Sequence, residues 1–233
     1  MEKSKGGYIM EKGKLIVIEG ASDGIGKSTQ FDLLKERLIN DGETIINHHF
    51  PTYNEYQGKP VEEYLKGKFG DPKDLSPYFI NSLYAVDRAV TYNLKLKKGL
   101  EEGNIILLDR YTTSSLIYQS ALIEDIEEKK KFLDYVIDFE YNKIGIKEPD
   151  LTIFLYAPLE VINEMRRKRK EESGEVFEGD IHENNLDFMK KVYDNAMFVA
   201  DYLNWSKIDC SNNQGMKGIE EIHEEIYKLV RKR

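Results

Sequence analysis

Short apolar runs alternate with longer stretches of helical periodicity along this chain. The runs are Leu15–Glu19 (LIVIE), Thr44–Phe50, Ile105–Asp109 (IILLD), Leu151–Tyr156 (LTIFLY) and a weaker Ser206–Cys210. Three of them are nearly continuous in apolar residues, which predicts strands buried on both faces, as parallel strands are. The stretches between them predict helices near 27–40, 58–67, 113–142, 159–171 and 184–203. Another helix begins at Ser76-Pro77, an N-cap followed by proline at the first helical position, and Gly99 suits its stop. Ile219, Ile222, Ile226, Leu229 and Val230 fall at helical spacing and predict a last helix. Alternation of this kind marks βαβ units. The expectation is a three-layer α/β domain with a five-stranded parallel sheet flanked by helices. Segment 172–183 (ESGEVFEGDIHE) is polar, contains glycine and lies between two helices, so it reads as a mobile lid.

Length and composition narrow the class. A chain of 233 residues buries roughly 72% of its unfolded surface and needs neither disulfides nor a structural metal. No fixed-period repeat, low-complexity segment or proline- or serine-rich linker divides it. Residues 1–12 read as a loose tail and 13–233 as one domain, with the lid at about 166–183. The single cysteine, Cys210, forbids an internal disulfide and a thiolate metal cluster. No apolar run approaches the roughly 20 residues that cross a bilayer, and no signal segment is evident, which points to the cytoplasm. The net charge of −8 argues against a broad nucleic-acid-binding surface. An anionic ligand therefore needs a local concentration of donors.

Residues 18–30 (IEGASDGIGKSTQ) supply one. An apolar strand enters a glycine-rich loop, Gly20-Ala21-Ser22-Asp23-Gly24-Ile25-Gly26, which leads through Lys27-Ser28-Thr29 into an amphipathic helix. This is the context a phosphate loop requires. Glycines let backbone N–H groups face inward around phosphate oxygens, and the helix turns its positive end toward the same anion. Lys27 suits the β and γ phosphates of a nucleotide, and the Ser28 hydroxyl suits Mg²⁺. The loop departs from the common spacing: five residues rather than four separate Gly20 from Gly26-Lys27, so Ala21 is an alternative occupant of the first-glycine position. The bland alternative is a chance glycine turn, against which strand, loop, Lys-Ser and helix all agree.

Residues 105–119 (IILLDRYTTSSLIYQ) carry the second signal. Asp109 closes an apolar strand, where a carboxylate holds Mg²⁺ beside a phosphate loop. Hydrolytic ATPases commonly place glutamate next. Here Arg110 follows, which has no basic lone pair and instead clamps an anionic acceptor. That favours group transfer over hydrolysis, with a structural arginine as the bland alternative. A guanine-specific switch needs Asn-Lys-x-Asp. Asn142-Lys143-Ile144-Gly145 lacks the aspartate.

The ordered motifs IEG…DGIGKSTQ, Phe50-Pro51, LYAVDR at 83–88, DRYTTSSLIYQ at 109–119, a basic helix and GDIHE resemble the thymidylate kinase family of phosphate-loop nucleoside-monophosphate kinases, from about Lys14 to the C-terminus. The resemblance implies transfer of the ATP γ-phosphoryl group to dTMP in dTTP biosynthesis, with ATP as co-substrate, Mg²⁺ at Ser28 and Asp109, and a homodimer. It implies neither nucleic acid nor membrane as partner. Asp23 resembles the acidic residue that meets the sugar 3′-hydroxyl. Tyr84 holds the place that stacks on thymine, and Arg88 the place that donates to its O4. Ser115, Tyr118 and Gln119 fall on the helix face that meets base and sugar, with Tyr118 placed to exclude a ribose 2′-hydroxyl. Phe50 and Tyr53 flank the acceptor phosphate, leaving Arg110 as its main clamp. Gly24 stands where some members carry arginine, so the transition-state cation is assigned to the run Arg166-Arg167-Lys168-Arg169, with Arg167 and Arg169 favoured. Taken without the family, Tyr84 is as readily a core aromatic, Arg88 a surface ion-pair partner and the basic run a solvated helix end. Another pyrimidine monophosphate kinase, a deoxynucleoside kinase and a nucleotide-sensing module remain alternatives.

Overall fold

A computed structural model describes the backbone of residues 13–173 and 186–232, and the side chains of residues 13–168 and 189–232. The tail at 1–12, the lid segment from residue 174 to 183 and the Arg169 side chain lie outside the described residues.

The chain runs β1 (Leu15–Gly20), α1 (Lys27–Asn40), β2 (Ile45–His49), α2 (Lys59–Leu65), α3 (Pro77–Thr91), α4 (Lys97–Glu101), β3 (Ile105–Asp109), α5 (Thr112–Tyr118), α6 (Ile126–Ile137), β4 (Leu151–Tyr156), α7 (Leu159–Ser173), α8 (Leu186–Tyr202), β5 (Ser206–Asp209) and α9 (Ile219–Arg231). The five strands form one parallel sheet in the order β2-β3-β1-β4-β5. A small antiparallel pair, β6 (Ser211–Asn212) with β7 (Gly215–Met216), follows β5 and has no hydrophobic signature in the sequence.

The three nearly continuous apolar runs, β1, β3 and β4, are largely buried on both faces, as their composition predicts, whereas the edge strands β2 and β5 are only partly buried. In β1, Ile16 and Ile18 enter a core shared with Phe31, Leu34 and Leu38 of α1 and Ile222 and Ile226 of α9. Leu15 and Val17 enter the opposite core with Tyr92, Leu96 and Leu100. Alternate residues of one strand thus feed opposite layers, the period-2 consequence of pleating. A third cluster joins α5, α6 and α8 over Phe154. Cys210 is buried in the first of these cores, that of α1 and α9, as a small apolar residue, and burial pushes its thiol up to about 12, so it stays protonated.

Two expectations are corrected. The stretch 113–142 is not one helix: α5 ends at Tyr118, and Asp125 starts a new helix by accepting from the backbone of Glu127 and Glu128. The second helix then widens into a π-helical turn over Asp138–Ile144. Gly99 is not a helix stop. It lies inside α4, where a Cβ would come 2.2 Å from the Ile46 side chain, so glycine serves the close approach of helix to sheet. The stop lies further on, with Gly103 at a φ of 88°. Among the described residues no helix is long and apolar enough to cross a membrane.

β1 neighbours β3 on one side and β4 on the other. In such sheets ligands bind beyond the strand C-termini where the chain order reverses. The loops after Gly20, His49 and Asp109 all open at that end.

Candidate active site

The strand β1 continues in register past Gly20, since the Ala21 amide donates to the Leu155 carbonyl at 2.9 Å. The loop then turns through two left-handed glycines, Gly24 at φ 87° and Gly26 at φ 94°. Gly20 is needed because the loop folds back on it: a Cβ there would lie 2.9 Å from Ile25 Cγ2. Gly26 precedes α1 without any side-chain cap, and the first turn of the helix carries no acidic residue. The opening amides of α1 therefore keep their donor capacity for an anion. Lys27 is buried at the base of the loop and paired with Asp109, while Ser28 and Thr29 are exposed in the first helical turn.

Asp109 ends β3 directly opposite His49, the last residue of β2. His49 Nδ1 and Asp109 Oδ2 are 2.8 Å apart. Burial works to raise the Asp109 pKa, but the His49 and Lys27 contacts outweigh it and bring the carboxyl down to about 2. The group is ionised throughout the neutral range, as a metal-holding carboxylate must be.

Arg110 adopts a φ of 65°, and it is the one described residue other than Asn and Gly in the left-handed region. Such backbone costs free energy and persists where surroundings enforce it. The consequence is local: the guanidinium lies over the Tyr118 ring, 5.3 Å from its centroid, and donates to Asp23 Oδ1 at 2.5 Å. Burial would raise the Asp23 pKa. The charges of Arg110, Lys27 and Arg166 prevail and hold it below the ordinary value.

One cavity of about 210 Å³ collects Asp23, Phe50, Tyr53, Tyr84, Arg88, Arg110, Ser115, Tyr118 and Gln119, which is the entire set assigned to the acceptor side by sequence. Tyr84 is braced edge-on by buried Tyr64, with centroids 6.3 Å apart. Arg88 is not a surface ion-pair residue. It is wholly buried and doubly bonded to Glu140, with Nε to Oε2 at 2.7 Å and Nη2 to Oε1 at 2.6 Å. Thr52 faces away from the cavity: its amide donates to Asp87, and its hydroxyl lies 2.9 Å from His48 Nε2. Tyr53 and Arg110 line the cavity instead.

The basic run before the lid divides. Arg166 crosses onto the loop, donating from Nε to the Asp23 carbonyl at 2.8 Å and from Nη2 to Ser22 Oγ at 3.3 Å. Gly24 makes room for it, since a Cβ there would lie 2.8 Å from Arg166 Cγ. Arg167 is exposed on α7.

The chain belongs to the thymidylate kinase family. The family model described as thymidylate kinase matches residues 18–226. A probable thymidylate kinase of Thermococcus kodakarensis is 33% identical over 221 residues, 92% of this chain and 96% of the relative. A thymidylate kinase of Prochlorococcus marinus is 29% identical over 223 residues, 94% of this chain and 99% of that one. A solved structure of thymidylate kinase from Candida albicans superposes with a TM-score of 0.69 over 95% of this chain and 92% of its own, at 24% identity, a likeness of fold.

Several site residues of this family member escape sequence reading. Glu19 looks like one more strand residue. It is completely buried and accepts from the Gly20 amide and the Thr113 and Ser114 hydroxyls, tying the phosphate loop to α5. Its signal was a lone acid ending an apolar run. Glu140 had no signal, because the π-helical turn that places it breaks the 3.6-residue period. Met189 and Leu65 add apolar surface to the cavity wall.

Proposed function

We propose that the protein transfers the γ-phosphoryl group of ATP to the 5′-phosphate oxygen of dTMP, giving ADP and dTDP. The observation that carries this reading is the junction Asp109-Arg110. It sets a carboxylate paired with the phosphate-loop lysine next to an arginine that lines a cavity with an aromatic base platform. Two polyanions must meet there, so the work of the site is positioning and charge neutralisation. In this reading the α1 amides and Lys27 hold the donor phosphates, and Arg110 with Tyr53 holds the acceptor phosphate. Phe50 flanks the acceptor phosphate beside Tyr53, and Tyr84 stacks against the base. Asp23, Tyr118 and Gln119 meet the sugar and base edge, with Ser115 beside Arg88. The transition-state cation is assigned to α7, to Arg167 or to Arg169, whose side chain lies outside the described residues.

Mg²⁺ fits this donor set. Among the described residues no group of three or more His, Cys, Asp or Glu is placed to hold a metal. Mg²⁺ is ordinarily held by one or two protein oxygens together with nucleotide phosphates and water. Ser28 and the ionised Asp109 are those oxygens, and the ion would neutralise phosphate charge. A cytoplasmic location accords with the single, buried, unreactive thiol.

The test is a coupled assay with ATP and equal concentrations of dTMP, dUMP, UMP, dCMP and thymidine. dTMP is expected to give the highest kcat/KM, with UMP and thymidine at least about tenfold lower. Preference for thymidine or for UMP would overturn the reading in favour of a nucleoside or ribonucleotide kinase. ADP release independent of any acceptor would favour a nucleotide-sensing module.

The homodimer has a candidate surface on α3. Phe79 is 41% exposed and Val86 is 51% exposed, with Leu83 and Val90 half-buried between and beyond them. Spacings of four, three and four residues put these side chains in one stripe, and contiguous exposed apolar area marks interaction surfaces. The native protein is expected to elute as a dimer in size-exclusion chromatography with light scattering. Val86→Glu is expected to shift it to monomer at unchanged far-ultraviolet circular dichroism. A monomeric native protein, or a Val86→Glu variant that stays dimeric, would remove α3 as the interface.

A further inference from the structure

We propose that Glu140, a residue of the π-helical turn Asp138–Ile144, is a positioning residue that sets acceptor-base preference by fixing the Arg88 guanidinium. The proposal rests on the thymidylate kinase reading above. A guanidinium has five N–H donors and no acceptor. In Arg88, Nε and one edge of Nη2 are taken by the two Glu140 oxygens. Nη2 also meets Ser115 Oγ at 2.9 Å and Asn81 Oδ1 at 3.2 Å. Nη1 is left with one long contact, 3.5 Å to the Tyr111 carbonyl. The donor capacity that remains is therefore concentrated on Nη1, on a residue that lines the cavity together with Tyr84. A donor of this kind donates to a ring carbonyl and opposes a ring amino group.

Glu140 determines this in two ways. Its fork-to-fork pairing leaves the guanidinium one rotational setting. It also neutralises Arg88 in a fully buried pair, with side chains 2% and 0% exposed. The cavity thus holds two arginines of unequal character. Arg110, whose partner Asp23 is partly exposed, keeps its attraction for phosphate, whereas Arg88 is left to hydrogen-bond a neutral oxygen. That asymmetry fixes which end of the acceptor lies at which arginine. Glu140 is itself anchored by the Thr112 hydroxyl at 2.8 Å, at the start of α5. Asp87, the other carboxylate nearby, is turned to Thr52 and Thr91 and takes no part.

Glu140→Gln keeps the side-chain volume and removes the charge. The expected result is a fall in kcat/KM for dTMP of about one to two orders of magnitude, with the dTMP-over-dCMP preference shrinking at least about tenfold and the ATP KM moving less than about twofold. An unchanged preference, or equal losses toward dTMP, dCMP and ATP, overturns the proposal. If Glu140→Gln loses its cooperative melting transition, a methionine pair replaces it, since exchanging both members of a buried ion pair is tolerated better than breaking it. Arg88→Met/Glu140→Met is then expected to show the same dTMP-over-dCMP ratio as Arg88→Met/Glu140→Gln, in which no charge is left unpaired either, because residue 140 acts through Arg88. A further shift of similar size overturns it. A native enzyme with no preference for dTMP over dCMP would sink the parent reading. A preference that survives Glu140→Gln sinks only this one.

Discussion

Lys27→Ala is expected to lower kcat by about a thousandfold or more while far-ultraviolet circular dichroism stays that of the native protein. Lys27 is the one lysine at the base of the loop and is paired with Asp109. In the proposed reaction its ammonium would be the full positive charge at the loop that holds the β and γ phosphates. The opening amides of α1 would position the donor, but they would not supply a full positive charge to the β–γ bridging oxygen, which takes up negative charge as the phosphoryl group leaves. The fold should tolerate the change. Lys27 contributes little to the cores on either side of β1, and Asp109 retains its contact with His49 at 2.8 Å. A modest drop in melting temperature is expected from the carboxylate left with one partner fewer. Turnover within about tenfold of native would refute the assignment of the loop to phosphate.

The second large effect is on the acceptor side. Arg110→Ala is expected to reduce kcat/KM for dTMP by about a hundred- to a thousandfold, mostly through KM, with little change in the ATP KM. Thymidine, which has no phosphate to lose contact with, should be used no worse than before. The discrimination between dTMP and thymidine, measured as the ratio of kcat/KM values, is thus the sensitive readout. Arg110→Lys keeps the charge but loses the fork, and should fall between the two. A rise in ATP KM that matches or exceeds the rise for dTMP would move Arg110 to the donor side.

Much of this site was legible because its chemistry is written into short runs. The strand ends, the glycine loop and the Asp-Arg pair each occupy a few consecutive residues, and parallel strands bring their C-termini together whatever lies between. α1 begins and ends as its periodicity predicts, at Lys27 and Asn40. What escaped depends on geometry between distant segments. Which of the four basic residues at 166–169 reaches the loop depends on the rotation of α7 about its axis, and Arg166 makes the contact. Glu140 escaped because a π-helical turn rotates side chains away from the face a regular helix would give them. The break between α5 and α6 was in principle readable, since Asp125 followed by Glu127 and Glu128 is a sound helix start. The apolar periodicity running on both sides hid it.

The missing side chain at Gly24 carries a consequence for how this sequence can change. The space above the loop holds one arginine. Arg166 fills it from α7, and even a methyl group at position 24 would press within 2.8 Å of its Cγ. Positions 24 and 166, far apart in sequence but in contact across the loop, are therefore expected to change together. A side chain at position 24 is expected to push Arg166 off the Asp23 carbonyl rather than share the space with it.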